Sequence, residues 1–207
     1  MTPEAHKHLS KCDPVMRRLI REHGDCALVP ETRRSPFQSL VLAVAHQQLH
    51  ANAANSILAR FKKLFPGKRF PRAQDLAAVT DAELRACGFS FAKIKAIRDI
   101  ADKTLSGVVP TSREIAALSD DEIVARLTEV RGVGRWTVEM LLIFQLGRLD
   151  VLPAADFGVR SGFRQAYKKR QMHTPKELLV HGEIWRPHRT TAAWFLWRAA
   201  DAAAKLK

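Results

Sequence analysis

Between Arg131 and Arg135 the chain reads Gly132-Val133-Gly134. Two glycines so placed let a turn backbone come close to another surface, and amides opening the next helix point outward in a way that suits a phosphate oxygen. An ordinary tight turn between helices accounts for the same residues. Twenty residues after Trp136 stands Asp156, preceded by Pro153 and followed by Phe157-Gly158-Val159, where a helix N-cap belongs. His46 and His50 stand four apart, a spacing that on a helix binds zinc in HExxH enzymes. Gln47 replaces the glutamate base and no third ligand is visible, which argues against a zinc hydrolase. Cys12, Cys26 and Cys87 are an odd set without a CxxC or Cys/His cluster, so neither a disulfide framework nor a structural zinc site is expected.

The elements that must position these residues read as helices. Ser35, Thr80, Thr111, Ser119 and Thr174 are each followed three residues later by Glu or Gln, the reciprocal arrangement that satisfies the first amides of a helix. Pro36 and Pro175 follow two of them at the first helical position, where a missing N–H costs nothing. From Phe37 to Phe65 apolar residues keep helical spacing, which predicts one long helix or two joined near His50. Ile94 to Leu105 marks another helix, and Ala192 to Leu206 a further amphipathic one. Around the glycine turn, one helix is expected to end at Val130 and the next to start near Arg135. No stretch alternates with period two, so little or no sheet is expected.

A length of 207 residues allows one domain or two small lobes, and 46% apolar with 27% charged residues is the composition of a folded chain. The longest apolar runs, Leu40 to Ala45 and Ala192 to Trp197, fall far short of the roughly 18 residues that span a bilayer. The first residues hold no apolar segment that could serve as a signal-peptide core, so secretion is not expected. A reducing cytoplasm is the simplest home, at the nucleoid of a bacterium or in the nucleus of a eukaryote. The net charge of +13 points to a polyanionic partner. Eight Lys/Arg and no acid lie between Arg33 and Gln74, and eleven Lys/Arg against three acids lie between Phe157 and Lys207. The segment between them is mildly acidic. Two separate basic blocks favour a nucleic-acid surface over two merely solvated faces.

Four motifs together resemble the helix-hairpin-helix (HhH-GPD) DNA glycosylase superfamily, in its AlkA-type 3-methyladenine DNA glycosylase II branch. They are SPFQSLVLAVAHQQLHANAANSI, LRACGFSFAKIKAIRDIA, the hairpin VRGVGRWTVEMLLIF with LPAADFGVRSGF, and the late WRPHRTTAAWFLWR, spread from about Ser35 to Ala199. The resemblance implies an all-α, two-lobed fold with the active-site cleft between the lobes. One lobe is a six-helix body of residues 36–146 containing the hairpin; the other combines 1–35 with 147–207 and carries the catalytic aspartate. The amino-terminal β domain of the best-known relative is not expected here.

Carried over position by position, the resemblance makes Asp156 the catalytic carboxylate. Breaking an N-glycosidic bond develops positive charge on the sugar, and a carboxylate at C1′ stabilises that charge and orients the attacking water. The cap and catalytic roles are compatible, since a helix N-terminus favours negative charge. Trp136 matches the position of the Schiff-base lysine of bifunctional relatives, which implies base release by water without strand cleavage. Trp136, Met140, Phe157 and Trp185 match the aromatic base pocket, with Met140 replacing an aromatic; each is equally readable as core. Gln48, with Gln47 beside it, matches the side chain inserted where a base is flipped out. Backbone amides at Gly132 and Gly134, with Arg131 and Arg135, would grip the DNA. The resemblance implies a monovalent ion at the hairpin, Na+ or K+, on the backbone carbonyls of Thr128, Val130 and Val133. No cofactor is required, and with no cysteine after the hairpin an iron–sulfur cluster is not expected.

The expected activity is that of a monofunctional glycosylase, a monomer acting on double-stranded DNA with damaged bases and not on a membrane. It would release alkylated purines such as 3-methyladenine and 7-methylguanine. Three readings compete: a glycosylase of the same fold for deaminated or oxidised bases, a non-catalytic helix-hairpin-helix DNA-binding module, and an RNA-binding basic protein. The last two leave Asp156 and the aromatic set unexplained.

Overall fold

The structure, a computed structural model, describes residues 3–205. The chain opens with α1 (Pro3–Cys12) and α2 (Pro14–His23) and continues through α3 (Pro36–His46), α4 (Ala51–Lys63), α5 (Asp81–Ala86) and α6 (Phe91–Leu105). Next come α7 (Ser112–Ala117), α8 (Asp120–Leu127), α9 (Arg135–Phe144), α10 (Phe157–Ala166), α11 (Pro175–Gly182) and α12 (Arg189–Lys205). Among the described residues every regular element is helical, in keeping with the missing period-two pattern. The last helix was expected to reach Leu206, which lies outside the described residues.

Local chemistry sets most helix starts. Thr80, Thr111, Ser119 and Thr174 each accept from the amide three residues on, while Glu83, Glu114, Glu122 and Glu177 reach back to the cap residue's own amide at 2.7–2.8 Å. Hydrogen bonds from the cap's amide and hydroxyl hold these four carboxyls below the ordinary glutamate range. Ser35 caps α3 in one direction, accepting from Gln38 N at 3.2 Å, in keeping with a neutral amide being a weaker acceptor than a carboxylate. The apolar series from Phe37 to Phe65 is divided between α3 and α4, because Gln47 leaves the helical region at ψ 130° and Gln48 takes φ 55°. The helix expected to end at Val130 ends at Leu127. Residues 128–130 close it as a turn, with Val130 N bonded to Leu127 O at 3.2 Å.

The chain divides into two compact units, Arg33–Leu141 and Met1–Thr32 with Leu142–Lys207. The division falls within α9 rather than after residue 146. Beyond it the backbone is tied to the second unit's own segments, Phe144 O accepting from Glu31 N at 2.8 Å and Leu142 O from Arg148 N at 2.9 Å. The first unit buries Phe61, Phe89, Ile94, Ile97, Leu127 and Val138; the second buries Leu9, Met16, Phe163, Trp185, Phe195 and Leu196. Each such side chain contributes about 1.5–3 kcal/mol by leaving water.

The second unit's core has a polar centre at Asp13, which is 2% exposed. Its Oδ1 caps α2, accepting from Val15 N at 2.8 Å and Met16 N at 3.3 Å, and Oδ2 accepts from Trp185 Nε1 at 2.9 Å and from the Tyr167 hydroxyl. His181 Nε2 lies 3.6 Å from Oδ2. Burial pushes the Asp13 carboxyl up, yet His181, the Tyr167 and Trp185 donors and the Val15 amide outweigh it and hold Asp13 well below the usual carboxylate range. Burial and the neighbouring carboxylate push the Tyr167 phenol up. A carboxyl depressed by folding stabilises the fold above its unfolded pKa, about 3.9, and that contribution drains away as pH falls toward the folded value. Asp13→Asn should therefore melt below the parent at neutral pH, with the gap narrowing below about pH 4. A gap constant from neutral to acidic pH in thermal melts would show that Asp13 acts through packing alone.

Candidate active site

Asp156 is the N-cap of α10, with Oδ1 accepting from Val159 N at 2.8 Å. The same oxygen accepts from Trp197 Nε1, on α12, at 2.8 Å. Two donors from two elements thus fix the carboxylate's rotation, and the half-buried position keeps it reachable. Trp197 in turn stacks on Phe144, ring centres 5.7 Å apart at 27°. Gly158 makes room for this arrangement: a Cβ there would lie 2.9 Å from Trp197 Cδ1 and 3.1 Å from Asp156 Oδ1. The approach to Asp156 is tied down as well. Asp156 N bonds to Pro153 O at 2.9 Å. Thr190 Oγ1 accepts from Val151 N at 2.9 Å and donates to Arg148 O at 2.7 Å. The Arg189 guanidinium grips both carboxylate oxygens of Asp150, at 2.8 and 3.0 Å.

The hairpin lies in the Arg33–Leu141 unit. Gly132 takes φ 75°, the left-handed region that favours glycine, and an added Cβ at Gly134 would meet nothing within 4 Å, so the backbone there is open to approach. An Asp99–Lys103 pair on α6, 3.3 Å apart, clamps the turn at both polarities. Asp99 Oδ2 accepts from Arg131 N at 2.7 Å, and Lys103 Nζ donates to Glu129 O. Lys103 thus supplies a positive charge to one carbonyl of this turn, and Val130 O accepts from Val133 N at 3.0 Å. Arg131 and Arg135 are exposed, Arg135 with Nε 3.0 Å from Glu139 Oε1 one turn along.

A cavity of about 600 Å³ opens beside the hairpin, walled by Gln47, Lys93, Gly132, Trp136, Thr137 and Met140 among others. Trp136 stays 46% exposed, and in the other unit Phe157, first residue of α10, stays 72% exposed. Each thus keeps ring surface in contact with water. Gln48 is exposed, whereas Gln47 uses Nε2 to reach Gly132 O at 3.0 Å and so ties the 47–50 turn to the hairpin. His46 ends α3 and His50 precedes α4, so they do not share one helix as the two histidines of an HExxH site do. Among the described residues no group of three or more His, Cys, Asp or Glu could hold a metal.

Trp185 is a correction. It is fully buried, packed 5.1 Å from the His181 ring and 6.3 Å from Phe163, with its N–H spent on Asp13. It belongs to the core and presents no face to a ligand. The tryptophan that reaches Asp156 is Trp197, in the same WRPHRTTAAWFLWR segment. Both share a residue type and a segment, and only the packing of α12 against α10 tells them apart. Lys93, Asp99 and Lys103 were also missed; the four-residue spacing of Asp99 and Lys103 marks an ion pair but not its contact with the hairpin.

A helical chain with a glycine hairpin and a doubly held aspartate capping the helix that follows is the arrangement of a base-excision repair protein. The profile described as HhH-GPD superfamily base excision DNA repair protein matches residues 41–187, and the chain belongs to that superfamily. It is similar to DNA-3-methyladenine glycosylase 1 of Schizosaccharomyces pombe, 42% identical over 201 residues that cover 97% of this chain and 88% of that protein. Among solved structures, the S. pombe 3-methyladenine DNA glycosylase in complex with abasic DNA aligns with a TM-score of 0.82 and 43% identity, over 94% of this chain and 95% of that one. The DNA-3-methyladenine glycosidase of Bacillus halodurans aligns with a TM-score of 0.88 and 34% identity, over 99% and 92%.

Proposed function

We propose that this protein is a monofunctional DNA glycosylase of base excision repair that releases 3-methyladenine and 7-methylguanine from double-stranded DNA, leaving an abasic site. The observation that carries the reading is the Asp156 carboxylate held by Val159 N and Trp197 Nε1, in a chain 42% identical to a DNA-3-methyladenine glycosylase. As the bond from C1′ to the base nitrogen breaks, its electron pair leaves with the base, and a cationic methylpurine departs neutral. Positive charge builds on the sugar, where Asp156 stabilises it and aligns a water whose oxygen bonds to C1′ and whose proton passes to the carboxylate or to solvent. Trp136 has no amine, so the sugar is not captured as an imine. Trp136, Phe157 and Met140 serve as the base-binding surface. Gln47, Gln48, Arg131, Arg135 and the amides at Gly132 and Gly134 serve DNA, with Na+ or K+ on the Thr128, Val130 and Val133 carbonyls at the hairpin. The protein acts as a monomer.

Single-turnover rates on duplexes that differ only in the lesion test this. Electron-rich rings attract a cation by about 0.5–2 kcal/mol, so both methylpurines should leave faster than neutral hypoxanthine or 8-oxoguanine. The product strand should stay intact until alkali is added, and borohydride should trap no protein–DNA adduct. An 8-oxoguanine rate equal to or above the methylpurine rates would sink the alkylpurine assignment. Strand cleavage by pure protein would sink the monofunctional one.

A further inference from the structure

Lys93 is the third residue of α6, its amide bonded to Ser90 Oγ at 3.3 Å. Its side chain crosses to the end of α3, where Nζ donates to Ala45 O and to Gln47 O, each at 2.8 Å. The last carbonyls of a helix lack partners within the helix, and they form the negative end of its dipole, so an ammonium satisfies both needs at once. Burial pulls the Lys93 pKa down. Gln47 is held from its other end as well, by the bond from its Nε2 to Gly132 O at 3.0 Å. The next residue, Gln48, sits at φ 55° with its side chain exposed. A residue with a Cβ keeps that conformation only where its neighbours over-determine it.

We propose that Lys93 is a positioning residue for base extrusion, clamping the final carbonyls of α3 so that the 47–50 turn presents Gln48 rigidly to the space a flipped base vacates. The proposal rests on the glycosylase reading above and on Gln48 as the inserted side chain. Ordering the turn in advance removes an entropic cost from the DNA complex, which favours the extruded state. In this role Lys93 acts through the 47–50 turn, its Nζ engaged by the two carbonyls. Its effect should therefore scale with how much the duplex resists extrusion.

The test compares the full-length protein with Lys93→Met, which keeps the chain length and loses the donors, and with Lys93→Arg, which keeps them. Single-turnover excision of 7-methylguanine is measured in two duplexes, one with the lesion paired to cytosine and one with it opposite a tetrahydrofuran abasic analogue. A 2-aminopurine beside the lesion reports extrusion separately. Lys93→Met should lose about tenfold or more on the paired duplex, a fraction of what two charge-assisted hydrogen bonds are worth, with a weaker 2-aminopurine signal. On the unpaired duplex, where extrusion breaks no base pair, it should lose no more than about threefold. Lys93→Arg should recover the paired rate. Equal losses on both duplexes, no loss on either, or an Arg variant as impaired as the Met variant would overturn the role. Should Lys93→Met fail to fold, Lys93→Gln, which keeps the polarity and loses the charge, must show the same selective loss, an equal loss on both duplexes again overturning the proposal. Wild-type protein inactive on both duplexes would overturn the glycosylase reading itself.

Discussion

Asp156→Asn should lower single-turnover base release about a hundred- to thousandfold, the range for removing one preorganised electrostatic group at a transition state, while duplex affinity stays level or rises. The substitution is informative because it separates charge from shape. An Asn Oδ1 can still accept from Val159 N and from Trp197 Nε1, and Asn is as good an N-cap as Asp. The melting temperature should therefore barely move. What disappears is the negative charge facing the developing cation on the sugar. Excision by the Asn variant within a few fold of the parent would defeat the catalytic assignment and leave Asp156 a cap.

The second large effect is on the fold that carries this carboxylate. At Gly162, on α10, an added Cβ would lie 1.8 Å from Leu196 O and 2.6 Å from Leu196 C, which are backbone atoms of α12 and cannot swing aside. Gly162→Ala must force the two helices apart. Overpacking usually costs about 1–3 kcal/mol, and a rigid backbone clash belongs at or above the top of that range. For a chain of this size that lowers the melting temperature by about 10 °C or more. Separation of α10 from α12 also lengthens the Trp197–Asp156 bond, so excision should fall further than the unfolded fraction explains. An Ala variant with parental melting temperature and parental rate would show that the helices do not depend on this close approach.

Much of the helical framework was legible because its causes lie within one turn of chain. A Thr with a Glu three residues on needs nothing from elsewhere to start a helix, and four such pairs do so here. The cap at Asp156 was legible for the same reason. The break between α3 and α4 was harder to read, since the apolar spacing continues across it. At that break Lys93, 46 residues away from Gln47, holds the last carbonyls of α3, and a clamp of that kind leaves no periodic trace.

By itself the sequence determined the class of elements, their starts, the two basic blocks, the glycine hairpin and the aspartate after it, because residue type and short-range spacing settle these. Tertiary structure alone decided which of the three tryptophans in one segment meets Asp156. Trp197 bonds across 41 positions to that carboxylate, while Trp185 bonds across 172 to Asp13 and disappears into the core. It likewise decided that Asp99 and Lys103 brace the hairpin and that Gln47 is a tie rather than a loose surface amide. The physical reason is common to all of these. A side chain's chemistry states what it can donate or accept, but which partner comes within 3 Å, and whether a ring faces water or core, follows from how separate helices pack.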